Sequence, residues 1–133
     1  AEDSGRLVTF ACCNNFEEIS NENTDLVAFN TYPGTIPMAP GTPETLAEKV
    51  RKDFTQKIAD FRRRYPDKPI MVSESGVGAI YGCHDPNASV STEECQDEYL
   101  RDIMTTLWAN PDVVGFSIWQ MNERLYCSKS RTV

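Results

Sequence analysis

The sequence predicts an α/β fold in which four short strands form a parallel sheet and helices make the crossovers. Three observations predict it. Apolar runs of strand length alternate with segments whose apolar residues recur at helical spacing. Within Lys68–Gly76, the run Pro69-Ile-Met-Val72 reads as a short buried strand that stops abruptly at Ser73-Glu74-Ser75-Gly76, placing a carboxylate where an α/β barrel presents a catalytic acid. Polar or aromatic groups also stand at the C-terminal ends of other strands, Asn30 and Tyr32 after one and Trp119 after another. Convergence at that end marks a ligand face in either a barrel or an open sheet.

Each element follows from local pattern. Residues 1–5 are polar and form a loose end. Arg6-Leu-Val-Thr-Phe-Ala11 is the first strand, closed by the turn-formers Asn14 and Asn15. Phe16 to Thr24 is polar and acidic, fit for a short helix or loop. Asp25-Leu-Val-Ala-Phe-Asn30 is the second strand; it breaks at Tyr32-Pro33-Gly34, and a Pro/Gly-rich loop runs to Gly41. A helix follows, with Thr42 as N-cap and Pro43 at its first position. Leu46, Val50, Phe54, Ile58, Phe61 and Tyr65 are spaced 4, 4, 4, 3 and 4 residues apart, one stripe along a helix. Pro66 ends it, and Arg62–Arg64 form a solvated last turn where positive charge suits the dipole. The third strand is Pro69–Ser73, and a loop from Gly76 to Val90 follows. Ser91-Thr-Glu-Glu94 has the capping-box pattern, with Ser91 as N-cap. In the helix after it, Cys95, Tyr99, Ile103 and Leu107 share one face, widened by Leu100, Met104 and Trp108. Asn110-Pro111 stops that helix. The fourth strand is Val113–Trp119, followed by Gln120-Met-Asn-Glu123 and a polar tail.

Composition narrows the function classes. A chain of 133 residues is long enough for one domain with a core. With 25% charged and 40% hydrophobic residues it has the balance of a soluble globular protein. Thirteen Lys and Arg against twenty Asp and Glu leave a net charge of −7, and the only basic run is Arg62–Arg64. Nucleic acid is therefore not expected as a partner, because phosphate contacts need clustered cations. No apolar run approaches the roughly 20 residues of a membrane span, and no signal-peptide pattern opens the chain, which reads as mature or excised sequence. Five cysteines occur without a C-x-x-C pair, and His84 is the one histidine; no metal site is expected. Most of these thiols read as free, with a single bridge such as Cys83–Cys127 the alternative, and the compartment stays open. Neither nucleotide-binding glycine motif is present, so no cofactor is expected. Ser75 lacks the first glycine of G-x-S-x-G, which argues against a serine triad.

Five segments in order carry a resemblance: Phe29-Asn30-Thr31-Tyr32, Lys68-Pro-Ile-Met-Val-Ser-Glu74-Ser-Gly76, Gly82-Cys-His84-Asp-Pro86, Thr92-Glu-Glu-Cys-Gln96 and Gly115-Phe-Ser-Ile-Trp119. Together they resemble the C-terminal half of the catalytic barrel of glycoside hydrolase family 2, on the β-glucuronidase-like branch of the β-glucuronidase and β-galactosidase family. The resemblance runs from about Arg6 to about Trp119. It implies a (β/α)8 barrel of which this chain holds strands five to eight. A whole barrel takes roughly 200 residues or more, so residues 1–133 are expected to be a partial catalytic barrel domain, a fragment of a longer enzyme. A periplasmic or secreted parent enzyme is compatible with the family.

The resemblance also implies a mechanism. Family members use two glutamates in a retaining reaction, their carboxyls about 5 Å apart. Glu74 matches the nucleophile. Tyr32 matches a tyrosine that can donate a hydrogen bond to it and keep it ionised. Asn30 is placed for a sugar hydroxyl, Trp119 for the C–H face of a pyranose, and His84, in the loop after the nucleophile, for the pocket lining. The acid/base glutamate, which follows an asparagine after the fourth barrel strand, has no match. Asn21-Glu22 falls before the second strand, at the wrong rim, and Asn122-Glu123 falls after the fourth in a different context. The fragment alone is therefore expected to be inactive. Ser75 stands where the family often has an aromatic residue, Pro33-Gly34 replace further aromatics, and no lysine motif for a substrate carboxylate is evident in the tail. These departures leave the sugar open between β-glucuronide and β-galactoside.

Two other readings are a non-catalytic, barrel-derived carbohydrate-binding or scaffold module and, more remotely, an open-sheet α/β hydrolase. A half barrel also leaves unpaired edges and an uncovered inner face, so self-association is expected.

Overall fold

The computed structural model describes residues 5–13, 19–33 and 45–120. The elements are β1 (Ala11–Cys13), a 3₁₀ turn (Ile19–Asn23), β2 (Val27–Asn30), α1 (Leu46–Arg64), β3 (Ile70–Ser75), α2 (Glu93–Trp108) and β4 (Val113–Ile118). The strands form one sheet in the order β1-β2-β3-β4, and every neighbouring pair is parallel. Consecutive order with crossovers of one hand keeps both helices on one side of the sheet. The result is the expected α/β architecture, four parallel strands as in half of a (β/α)8 barrel.

The core lies between that side of the sheet and the helices. Val27 and Phe29 of β2, Ile70 and Val72 of β3, Val50, Phe54, Ile58 and Phe61 of α1, and Tyr99, Ile103 and Leu107 of α2 form one buried cluster. These are the residues of the two helical stripes, and in β2 and β3 they alternate as strand residues do. Phe29 stacks on Phe61 with ring centroids 4.9 Å apart and an interplanar angle of 17°, within the centroid range of favourable aromatic pairs. Trp108 departs from the expected stripe: it is 84% exposed, because Leu107 already takes the core-facing position on that turn. Met104 is exposed as well.

Both helix starts lie beyond the expected caps. The cap of α1 is Thr45, whose hydroxyl accepts the Glu48 N–H at 3.2 Å while the Glu48 carboxylate accepts the Thr45 N–H at 2.8 Å. Thr42 and Pro43 lie outside the described residues. The cap of α2 is Thr92, one residue after Ser91, and its hydroxyl accepts the Cys95 N–H at 3.2 Å. The Ser91 box does not form because its glutamate is engaged elsewhere: Glu94 accepts the Asp85 N–H at 2.9 Å. At the first strand, regular pairing begins only at Ala11. The preceding residues are tied to the approach of β2 by Val8 N–H to the Asp25 carboxylate at 2.7 Å and Thr9 Oγ1 to Leu26 O at 2.9 Å.

The N-terminal end of the sheet is closed by two long cationic side chains. Lys68 Nζ donates to the carbonyls of Asn21, Glu22 and Thr24 at 2.5, 2.9 and 2.7 Å, binding together acceptors at the end of the 3₁₀ turn. Arg62, expected to be solvated, instead pairs with Asp112 at 2.8 Å and donates to the carbonyls of Pro66 at 2.5 Å and Lys68 at 3.1 Å. It thereby joins the end of α1 to the starts of β3 and β4.

Among the described residues no helix is long and apolar enough to cross a membrane. Cys12, Cys83 and Cys95 form no disulfide with one another; Cys127, and with it the suggested Cys83 bridge, lies outside the described residues.

Candidate active site

Strand alternation alone would point Glu74 the wrong way. Ile70 and Val72 face the helices, and a period of two would send residue 74 after them. The register shows why it does not. Phe29 pairs with Val72 and Asn30 with Glu74, so two steps of β3 match one of β2; against β4, Val72 pairs with Phe116 and Ser75 with Ile118. One extra residue is thus accommodated in β3, a bulge, and bulges re-aim side chains. Ser75 returns to the helix side, fully buried, where its hydroxyl lies 3.0 Å from the Tyr99 hydroxyl. Ser73 and Glu74 are left to reach the partners of the opposite side.

Those partners are Asn30 and Tyr32. In β2, Val27 and Phe29 belong to the helix-side core, and Thr31 bonds Asp53 of α1 at 2.7 Å. The alternate residues Asn30 and Tyr32 face away from the helices. The Tyr32 hydroxyl donates to Glu74 Oε2 at 2.7 Å, and the Ser73 hydroxyl donates to Asn30 Oδ1 at 2.7 Å. The backbone joins the same residues, with Thr31 N–H donating to Glu74 O at 3.0 Å. Three residues read from sequence as one site, Asn30, Tyr32 and Glu74, are therefore held together at the C-terminal end of β2 and β3. Ser73 orients the Asn30 amide; a serine next to the carboxylate was the available signal.

Trp119 completes that end from β4. It directly follows the strand, is half exposed, and its N–H donates to Ser75 O at 2.9 Å. The Trp119–Gln120 peptide bond is cis. Gly76 lies so close that a Cβ there would stand 2.2 Å from the Trp119 carbonyl oxygen, so glycine is what allows the two chain segments to approach.

His84 sits elsewhere. It is exposed in the loop between β3 and α2, with Nδ1 2.9 Å from Glu94 Oε1 and Nε2 3.8 Å from Glu93 Oε2. The Glu94 hydrogen bond, followed by the charges of Glu93 and Glu94, raises the imidazole pKa above its usual 6.5. Glu94 is correspondingly held below its ordinary value, chiefly by the Asp85 N–H. His84, Pro86, Glu93, Glu94, Asp97 and Glu98 line an open hollow of about 390 Å³. The structure gives His84 a role in tying this loop to the first turn of α2, and no bond to Glu74, Tyr32 or Asn30.

The Glu74 carboxyl group, bonded by a phenol and set beside an amide and an exposed indole, has the chemistry to attack an electrophilic carbon while its neighbours bind a hydroxylated ring. Among the described residues no cluster of His, Cys, Asp and Glu is arranged to hold a metal ion.

No protein-family model matches the chain, and no curated protein does. Solved structures do. The chain is similar to a Faecalibacterium prausnitzii β-glucuronidase, 28% identical with a TM-score of 0.71, over 86% of this chain and 18% of that one. It is similar to a β-D-glucuronidase of Dictyoglomus thermophilum, 25% identical with a TM-score of 0.70, over 86% of this chain and 19% of that one. The fold is also that of a family 2 β-galacturonidase of Eisenbergiella tayi solved with galacturonate, 24% identical with a TM-score of 0.67, over 83% of this chain and 18% of that one. The chain thus spans less than a fifth of the length of these glycosidases, and its structural likeness is to glycoside hydrolases of family 2.

Proposed function

We propose that this chain is the nucleophile-bearing part of a retaining β-glycosidase acting on β-linked uronides, with β-galactosides the near alternative. The observation that carries the proposal is the 2.7 Å hydrogen bond from Tyr32 to Glu74 at the C-terminal end of the sheet. Glu74 attacks the anomeric carbon as the glycosidic C–O bond breaks and the aglycone departs, its oxygen protonated by the acid/base carboxylate; water, deprotonated by that same group, then cleaves the glycosyl-enzyme ester and frees Glu74. Tyr32 stabilises the ionised carboxylate before attack. Asn30 takes a sugar hydroxyl and Trp119 packs on the apolar face of the ring; His84 holds the loop that follows the nucleophile. The glycosidase likenesses support the reaction class, and the uronidase names among them support the substrate class.

The acid/base carboxylate comes from sequence beyond this chain. Of its two Asn-Glu pairs, Asn21-Glu22 lies at the opposite end of the sheet, its carbonyls bonded by Lys68; Asn122-Glu123 lies outside the described residues. Two measurements test the reading. The natural full-length protein, treated with a 2-fluoro β-glucuronide that traps the glycosyl-enzyme, should carry the label on Glu74; label on another carboxylate refutes the assignment. The purified 133-residue chain should not hydrolyse chromogenic β-glycosides, and turnover abolished by Glu74→Gln would show that the acid/base is within it.

A further inference from the structure

Helix α2 holds the chain immediately after Glu74, at Ser75 in β3 and at Val77 just beyond it. The Tyr99 hydroxyl meets the Ser75 hydroxyl at 3.0 Å, and both residues are fully buried. One turn earlier, Gln96 Nε2 donates to Val77 O at 2.8 Å. A buried hydroxyl pair between α2 and the sheet is an unusual choice where Leu or Val would pack. A Phe–Ala pair would fill nearly the same space without polar groups to satisfy.

The bulge gives these contacts a purpose. Val72 and Ser75 both face the helices although three residues apart, so the two between them are displaced to the opposite side. If Ser75 were not held toward α2, β3 could relax to regular alternation, which turns residue 74 toward the helix layer and away from Tyr32. We propose that Tyr99 and Gln96 are positioning residues: by anchoring Ser75 and Val77 they lock the bulge that aims Glu74 at Tyr32. This rests on the nucleophile assignment above for its catalytic consequence, but not for its structural one. Near-attack geometry is sensitive enough that a displacement of about 1 Å can cost about a hundredfold.

The test uses Tyr99→Phe, which keeps the ring, Ser75→Ala, the double variant, and Ile103→Val on the same face of α2 as a packing control, all in the natural full-length protein. Two quantities are measured: kcat and KM on a β-glycoside, and hydrogen exchange at the amides that report the bulge, Thr31 (bonded to Glu74 O) and Trp119 (bonded to Ser75 O), against Ile70 at the start of β3 (bonded to Asp112 O). The expected result for Tyr99→Phe is at least tenfold faster exchange at Thr31 and Trp119 than at Ile70. A ten- to hundredfold fall in kcat should accompany it with little change in KM, and the double variant should be no worse than either single one. Ile103→Val should change exchange evenly and leave kcat alone. Uniform exchange in Tyr99→Phe, or selective exchange with kcat intact, overturns the inference. If the wild-type protein turns over no β-glycoside while the selective exchange is seen, the functional reading has failed and the locking of the bulge stands.

Discussion

The two ends of this sheet are built from similar materials to opposite effect. At the N-terminal end, two cationic side chains, Lys68 and Arg62, are spent on backbone carbonyls and on Asp112. Their donors are taken up largely by backbone carbonyls, with Arg62 Nε and the Asn21 amide left buried and unpaired among the described residues. At the C-terminal end, β3 is bulged, its carboxylate is turned away from the packed layer, and its partner is a phenol rather than a cation. A carboxylate paired with Lys or Arg would be neutralised, whereas the Tyr32 phenol is a neutral donor. The difference teaches that one end is organised for stability, while the other has the arrangement that the proposed nucleophile requires, as at the C-terminal face of barrels generally.

Substitutions at each end can break or sharpen that contrast. The largest effect is expected for Glu74→Gln in the full-length protein: glycosidase turnover should fall by more than about a thousandfold, while the melting temperature stays within a few degrees. A comparable loss of stability would mean that Glu74 belongs to the structural set. Lys68→Met should do the converse, costing about 1.5–3 kcal/mol in denaturant unfolding through the charge-assisted bonds to three carbonyls, with kcat per folded molecule unchanged. Gly76→Ala lies where the two roles meet. Its Cβ would stand 2.2 Å from Trp119 O, so the backbone must shift, at a cost of about 1–3 kcal/mol, and substrate affinity should weaken as Trp119 moves.

The smallest effect concerns His84. Its pKa is raised by the Glu94 hydrogen bond, so its contribution to holding the loop is present below its unfolded value near 6.5 and is lost as pH rises through the higher folded value. Glu94, depressed from 4.5, contributes above that value and loses its part as pH falls through the lower folded one. The latch is therefore strongest between the two. Because the chain has a single histidine, one imidazole resonance followed by NMR reports it: the midpoint should lie above 6.5 and fall back in Glu94→Gln. A midpoint unchanged by that substitution would remove the latch.

Much of the fold was legible because its signals are local. The 4-4-4-3-4 spacing from Leu46 to Tyr65 names the face of α1 that is buried, and Cys95, Tyr99, Ile103 and Leu107 name that of α2. Trp108 misled because helical periodicity gives a direction but not the width of the surface waiting there. The caps misled by one to three residues because several Thr and Ser stand near each start, and the choice turns on where neighbouring glutamates are needed. At the α2 start, Glu93 and Glu94 hold the preceding loop through Gly82 and Asp85.

What the sequence by itself determined is the order of strands and helices, the buried stripes, and a set of polar residues following the strands, because each depends on residues close in the chain. What only the tertiary structure decided is which way Glu74 points. Period-two alternation, the only directional rule a strand sequence offers, sends it into the helices. The pairing of β3 with both neighbours inserts the bulge, Tyr99 holds Ser75 back, and Tyr32, 42 residues earlier, receives the carboxylate. Direction at that strand end is set by contacts across the sheet and against α2, and such contacts do not exist until the chain is folded.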